Sequence, residues 1–227
     1  MSTTRAVAVS VLLITLAGCA APRVAAVMDC ASSQMSPVTA QDQRIEFAIA
    51  GFSIMPPQGE HWCVVARDSV RGAVFSTSAL LGRRLDARPP LATVANTLSL
   101  MALMIDPGEW KVDTAEGLRA YTDYRLRGEP GRLTNRETHV SPDPTFGAEC
   151  VRAEQIVEER HNPKLPGAVL IMVNREFLCR HPDAPRRVIL FGASERYAEG
   201  DPGPRLLELR KDQIDGFIRS LSFMQPR

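Results

Sequence analysis

Glu149-Cys150-Val151-Arg152-Ala153-Glu154-Gln155-Ile156-Val157-Glu158-Glu159-Arg160 and Ala168-Val169-Leu170-Ile171-Met172-Val173-Asn174-Arg175-Glu176-Phe177-Leu178-Cys179-Arg180 are the two runs that decide the fold. Between them lies Asn162-Pro163-Lys164-Leu165-Pro166-Gly167, dense in residues that turn the chain. Two β-rich runs flanking a turn read as an antiparallel pair. Ala168 to Val173 is apolar on both faces, which fits a central strand covered on both sides. Positions equidistant from a turn face each other, and Cys150 and Cys179 are such positions. Facing Cβ atoms lie about 4.5–5.5 Å apart and a disulfide needs about 3.5–4.5 Å, so the pairing predicts Cys150–Cys179.

Working outward, Arg187 to Ser194 follows Pro182-Asp183-Ala184-Pro185 and extends the pair into a meander. On the other side, Arg132 to Ser141 alternates poorly and is expected to break at Pro142 and Pro144. Leu207, Ile214, Phe217, Ile218 and Leu221 form one stripe, so a closing helix is predicted over Pro204–Leu221. Gly216 weakens it by about 1 kcal/mol relative to Ala. Thr114 is a candidate N-cap for a helix placing Leu118, Tyr121 and Arg125 on one face. Leu91, Val94, Ala95, Leu98, Met101, Ala102 and Ile105 recur at helical spacing, which predicts a long helix over Pro90–Asp106, stopped by Asp106-Pro107-Gly108.

The opening of the domain is again extended. Ile45, Phe47 and Ile49 alternate, Gly51 marks a turn or bulge, and Phe52 and Ile54 resume before Pro56-Pro57. Trp62–Ala66 and Ala73–Leu80 are further strands. Strands interrupted and closed by helices give an α+β fold: an antiparallel β-sheet of about six to eight strands packed against two or three helices.

Composition sets limits on partners. The 44% hydrophobic content fills a core and the 23% charged content is ordinary for a soluble domain. Without residues 1–18, which hold Arg5 and no acid, 26 bases face 26 acids. No basic face points to nucleic acid. Lysine appears only at 111, 164 and 211, and the arginine preference is attributed to a G+C-rich coding bias.

At the N-terminus, Arg5 precedes a short apolar run, Ala6–Ala17, and small residues lead to Leu16-Ala17-Gly18-Cys19. A basic start, an apolar middle and a small-residue cut site make a secretory signal peptide. The run is too short for a membrane span, which needs roughly 20 apolar residues. Leu-Ala-Gly-Cys resembles the lipobox of bacterial lipoproteins at all four positions. The resemblance implies cleavage before Cys19 and a thioether-linked lipid, with palmitate-type acyl chains, on its sulfur. Ala20 stands where lipoproteins retained in the inner membrane often have Asp. The implied location is therefore the periplasmic face of the outer membrane. The expected division is a signal peptide over 1–18, a flexible lipid-anchored tether over 19–43, and one α+β domain over 44–227.

The domain resembles the PsbP-like α/β/α sandwich. The residues that carry the resemblance are Gly51-Phe52-Ser53-Ile54 running into Pro56-Pro57 and Trp62, the expected central helix, the meander, and the ending Ser220-Leu221-Ser222-Phe223. That family is a fold rather than an activity, so it implies no catalytic residue.

With Cys19 set aside, four cysteines remain, an even number that reads as disulfides after export. Once Cys150 pairs with Cys179, Cys30 pairs with Cys63 by elimination, pinning the tether to the domain. The alternative is a Cys2His2 zinc site from His61, Cys63, Cys179 and His181, since positions two apart on a strand share a face. Its spacing departs from the usual zinc motifs. His139 and His161 read as strand-end or loop residues, and Glu154, Glu158 and Glu159 with Arg152 and Arg160 as a solvent face. Trp62, Tyr121 and Tyr124 read as core or sheet cover. No nucleophile elbow, phosphate loop or dinucleotide fingerprint occurs, and neither a catalytic residue nor a cofactor is implied. The expectation is a non-enzymatic envelope lipoprotein, held at the lipid membrane through Cys19, with a binding or scaffolding domain open to a protein partner in the envelope. The alternatives are an enzyme binding a small molecule or metal between sheet and helix, and an accessory subunit of an assembly or secretion complex.

Overall fold

The computed structural model describes residue 30 and residues 35–39, 42–59, 62–77, 96–128, 131–162 and 165–227. Eleven strands are present among them: β1 Ser36–Pro37, β2 Ile45–Phe47, β3 Phe52–Ile54, β4 Cys63–Asp68, β5 Gly72–Ser76, β6 Thr97–Ile105, β7 Leu133–Asp143, β8 Cys150–Glu159, β9 Leu170–His181, β10 Ala184–Ala198 and β11 Ser222–Phe223. Three helices accompany them: α1 Ala115–Arg125, α2 Leu206–Leu209 and α3 Lys211–Arg219. Eight strands form one sheet in the order β1-β4-β5-β6-β10-β9-β8-β7, and β11-β3-β2 form a small second sheet. All pairings are antiparallel. The fold is α+β and mostly sheet.

The two faces of the large sheet have different covers. On the front, the small sheet and helices α2 and α3 enclose a core that includes Phe47, Phe52, Trp62, Leu98, Leu100, Phe177, Ile189, Phe191, Ile214 and Phe217. On the back, α1 seats Leu118 and Tyr121, with Val112 just before it, on Val151, Leu178, Val188 and Leu190. Burying each such side chain contributes about 1.5–3 kcal/mol.

The β8–β9 pair forms as the opening motif predicts, with Cys150 opposite Cys179 in the register. Their sulfurs are at bonding distance, with Cα atoms 4.0 Å apart. Cys30 and Cys63 are likewise joined, with Cα atoms 5.5 Å apart. Ser36–Pro37 pairs with the start of β4, so the sheet begins inside the stretch expected as tether.

The helix expected over Pro90–Asp106 is a correction. Thr97–Ile105 is strand β6, paired with β5 on one side and β10 on the other; residues 90–95 lie outside the described residues. The physical reason is that Leu100–Ile105 is apolar at every position. Leu98, Leu100 and Ala102 enter the front core, while Met101 and Ile105 pack on the back. A continuous apolar run satisfies periods of 2 and 3.6 equally.

Smaller corrections share one theme, that context overrides a local signal. Pro142 does not break β7, because β7 is the sheet edge, where a proline's missing N–H faces no partner strand. The third strand of the meander runs from Ala184 to Ala198, longer than Arg187–Ser194. The closing helix is two pieces that meet at Arg210, whose backbone leaves helical geometry. Glu195, fully buried on β10, accepts hydrogen bonds from Leu206 N and Leu207 N at 2.7 and 3.2 Å. A carboxylate at that position satisfies the free amides that open α2. Helix α1 starts as expected, with Thr114 Oγ1 accepting from Gly117 N at 3.1 Å.

Candidate functional site

On the back face, strand alternation and register stack the side chains in rows across the sheet. The row beneath α1 is apolar: Leu103, Leu190, Leu178 and Val151. The next row is Met101, Gly192, Glu176, Ala153 and Val140. The row after that is polar in all five strands: Ser99, Ser194, Asn174, Gln155 and Thr138. Rows on one face are about 7 Å apart, two residues at ~3.3–3.4 Å each. The change from apolar to polar therefore takes about 14 Å and coincides with the end of α1 at Arg125.

Hydrogen bonds join the polar row to that helix end. Ser194 Oγ donates to Asn174 Oδ1 at 2.6 Å, and Asn174 Nδ2 reaches Gln155 Oε1 at 3.4 Å. Gln155 Nε2 donates to Asn135 Oδ1 and to Leu126 O, both at 2.5 Å. Asn135 Nδ2 donates to Leu126 O at 2.8 Å. The last carbonyls of a helix need outside donors, and two side-chain amides supply them here. Asn135 reaches this position through an irregularity in β7, where the pairing register slips between Asn135 and Glu137. Such irregularities re-aim side chains.

Arg125, Leu126, Gly128, Leu133, Asn135, Gln155, Val157, Met172, Asn174 and Glu176 line a cleft of about 170 Å³ at this place. Glu176 is its distinctive group. Its cross-strand neighbours are Gly192 and Ala153, which leave the carboxyl laterally open. Gly192 has φ +154°, and a Cβ there would collide with Arg175 O, so β10 passes close to β9 without a side chain. No hydrogen bond or ion pair engages Glu176 among the described residues. It is partly exposed, yet enough protein surrounds the carboxyl that desolvation raises its pKa, partly opposed by the charge of Arg125. The two charges feel each other without forming an ion pair. A carboxyl whose pKa burial raises, without a partner in a polar-lined cleft, is equipped for recognition or proton transfer.

Beyond the cleft the same face carries buried charge. Arg132 donates to Glu159 Oε1 from Nε at 3.1 Å and Arg196 stands 3.9 Å from Oε2. Burial lowers the pKa of Arg196, with Glu159 opposing. On the other side of β8, Glu158 is held ionised by hydrogen bonds from Arg136 and Arg160. Glu158 and Glu159 are therefore buried, paired groups, which corrects their reading as a solvent face. Glu154, partly exposed and paired with Arg152, fits that reading.

The residues singled out in the sequence do not converge on one site. Cys19 and His61 lie outside the described residues. Cys63 and Cys179 are bonded to Cys30 and Cys150, so neither offers a thiolate to zinc. His181 is fully buried, with Nε2 at 2.8 Å from Gly51 O and 3.1 Å from Met224 O, while Asp183 N donates to Nδ1 at 3.1 Å. These partners place the ring proton on Nε2, and the imidazole ties the β9–β10 turn to the small sheet. Among the described residues no three His, Cys, Asp or Glu side chains are grouped to hold a metal. His139 lies on edge strand β7, and His161 occupies a loop with φ +58°. Trp62 is core, donating from Nε1 to Gln213 Oε1 at 2.9 Å. Tyr121 is buried, whereas Tyr124 is half exposed and packs on Trp110, ring centroids 4.9 Å apart.

Sequence reading passed over Glu176, Asn174, Gln155, Asn135, Ser194 and Arg125. The available signal was a small polar set, Ser99, Gln155, Asn174 and Ser194, one to a strand. Only the register aligns it into a row.

No family model matches the chain, and no curated protein matches it. Solved structures match in shape. Cyanobacterial PsbP (CyanoP) from Synechocystis sp. PCC 6803 is similar with a TM-score of 0.43 and 15% identity, over 80% of this chain and 91% of that one. The Ran-binding protein Mog1p of Saccharomyces cerevisiae is similar with a TM-score of 0.41 and 11% identity, over 83% of this chain and 97% of that one. Both likenesses are of shape, and neither carries an argument about what this chain does.

Proposed function

We propose that this chain is a lipid-anchored protein of a bacterial envelope, held at the periplasmic face of the outer membrane, and that its domain binds a ligand or partner. The observation that carries the anchoring is Leu16-Ala17-Gly18-Cys19 followed, eleven residues after the lipidated position, by Cys30. Cys30 is bonded to Cys63 at the start of β4. At ~3.3–3.6 Å per residue, eleven residues reach at most about 40 Å. The staple, rather than the full 19–43 stretch, then sets how far the sheet stands from the membrane. Two cysteine pairs at disulfide distance support an oxidising compartment. For the domain, the unpartnered carboxyl of Glu176 in a polar-lined cleft supports recognition.

Mass spectrometry of the protein from its native host tests the anchoring. The expected result is a chain that begins at Cys19 and carries diacylglycerol on its sulfur, and a Cys19→Ser variant that leaves the membrane fraction. An unmodified residue 19, or residues 1–18 still attached, overturns it.

A further inference from the structure

The Glu176 cleft is amphipathic along its length. One end holds two opposite charges, Glu176 on β9 and Arg125 on the last turn of α1. Neither makes an ion pair among the described residues, and they do not pair with each other, although Arg125 lowers the Glu176 pKa electrostatically. The middle is floored by Asn174 and Gln155. The far end is Leu133, Val157 and Met172. Met172 is four residues from Glu176, which along a strand is about 13 Å. The volume of about 170 Å³ is well below the ~300–1,000 Å³ of sites for drug-sized ligands. A small molecule fits and a nucleotide does not.

An unpaired carboxylate and an unpaired guanidinium at one end of a cleft are matched by a ligand bearing both an ammonium and a carboxylate. We propose that the cleft binds a free α-amino acid with an apolar side chain, its ammonium on Glu176, its carboxylate on Arg125 and its side chain toward Leu133, Val157 and Met172. Arg125 presents a planar fork that suits a carboxylate. Burial strengthens the Glu176–ammonium pair, because the ligand's charge replaces lost water. This inference deepens the binding-domain reading above and is independent of the lipid anchor.

The test is isothermal titration calorimetry of the full-length protein in detergent with L-leucine, L-methionine and L-phenylalanine. Two truncated probes accompany them: N-acetyl-L-leucine, which lacks the ammonium, and isopentylamine, which lacks the carboxylate. At least one amino acid is expected to bind. Its affinity should fall about tenfold or more in Glu176→Gln and in Arg125→Gln, since each removes one charged hydrogen bond. The truncated probes should lose a similar factor. Arg125 is exposed, so its variant is expected to keep the fold, and circular dichroism checks both. No heat with any of the three amino acids overturns the proposal, as does binding that both variants leave unchanged. A protein that lacks the lipid yet binds the amino acid sinks the anchoring and spares the site.

Discussion

The back face of the large sheet is made twice from the same strands. Under α1, β8, β9 and β10 present Val151, Leu178, Val188 and Leu190, all buried against the helix. Two rows further along, they present Gln155 and Asn174 to a cleft, with Ser194 hydrogen-bonded to Asn174 beside it. Strand pairing and alternation are continuous across the boundary, so backbone geometry does not cause the difference. The chemistry changes where the helix ends. Apolar rows hold the helix down, while Gln155 of the polar row, with Asn135, satisfies Leu126 O at the helix end and Glu176 is left without a partner among the described residues. One half of the face is built for stability and the other keeps groups that folding alone does not require.

Substitutions in the two halves should then behave differently. Leu178→Ala empties a fully buried position in the apolar half and is expected to lower stability by about 2–5 kcal/mol in chemical denaturation. An effect well below that would mean α1 is not held by this row. Replacing Cys150 and Cys179 together by Ala removes a link that spans 29 residues and is expected to cost about 2–4 kcal/mol. Because β8 and β9 carry both halves, that loss should loosen both, seen as faster amide exchange in α1 and at Asn174 alike. Gln155→Leu removes one of two donors to Leu126 O and is expected to cost about 1–2 kcal/mol, with fraying confined to the end of α1. If the fraying spread to Leu118, the two halves would not be separable units.

Much of this arrangement was legible in the sequence, and the reason is locality. The Asn162–Gly167 turn fixes a register by counting alone, so the β8–β9 pair and the opposition of Cys150 and Cys179 follow. Thr114 announces α1 because a cap acts within one turn. Thr97–Ile105 was misread because both faces are covered, which erases the alternation that identifies a strand. Pro142 was misread because its tolerance depends on which strand is at the edge, a global property. The cleft was invisible for a similar reason. Gln155, Asn174 and Ser194 stand 19 to 20 residues apart in the chain and become a row only through pairing. Nothing in the sequence sets Glu176 apart from other strand acids, because Gly192 and Ala153 come beside it only through pairing.

Thermal unfolding of the full-length protein and its Glu176→Gln variant, at neutral and at acidic pH, tests most directly whether the polar half is a site kept against stability. Burial raises the folded-state pKa of Glu176 above its unfolded value. Its favourable contribution is then complete below the unfolded value and is lost as pH rises through the folded one. At neutral pH the unfavourable burial of the carboxylate weakens the fold, and the neutral amide of Gln carries no such cost. The expected result is a higher Tm for Glu176→Gln at neutral pH, an advantage that shrinks on acidification and vanishes below about pH 4, where the carboxyl is protonated in both states. A variant less stable than the parent at neutral pH, or an offset that ignores pH, would contradict it and return Glu176 to the ordinary framework of the sheet.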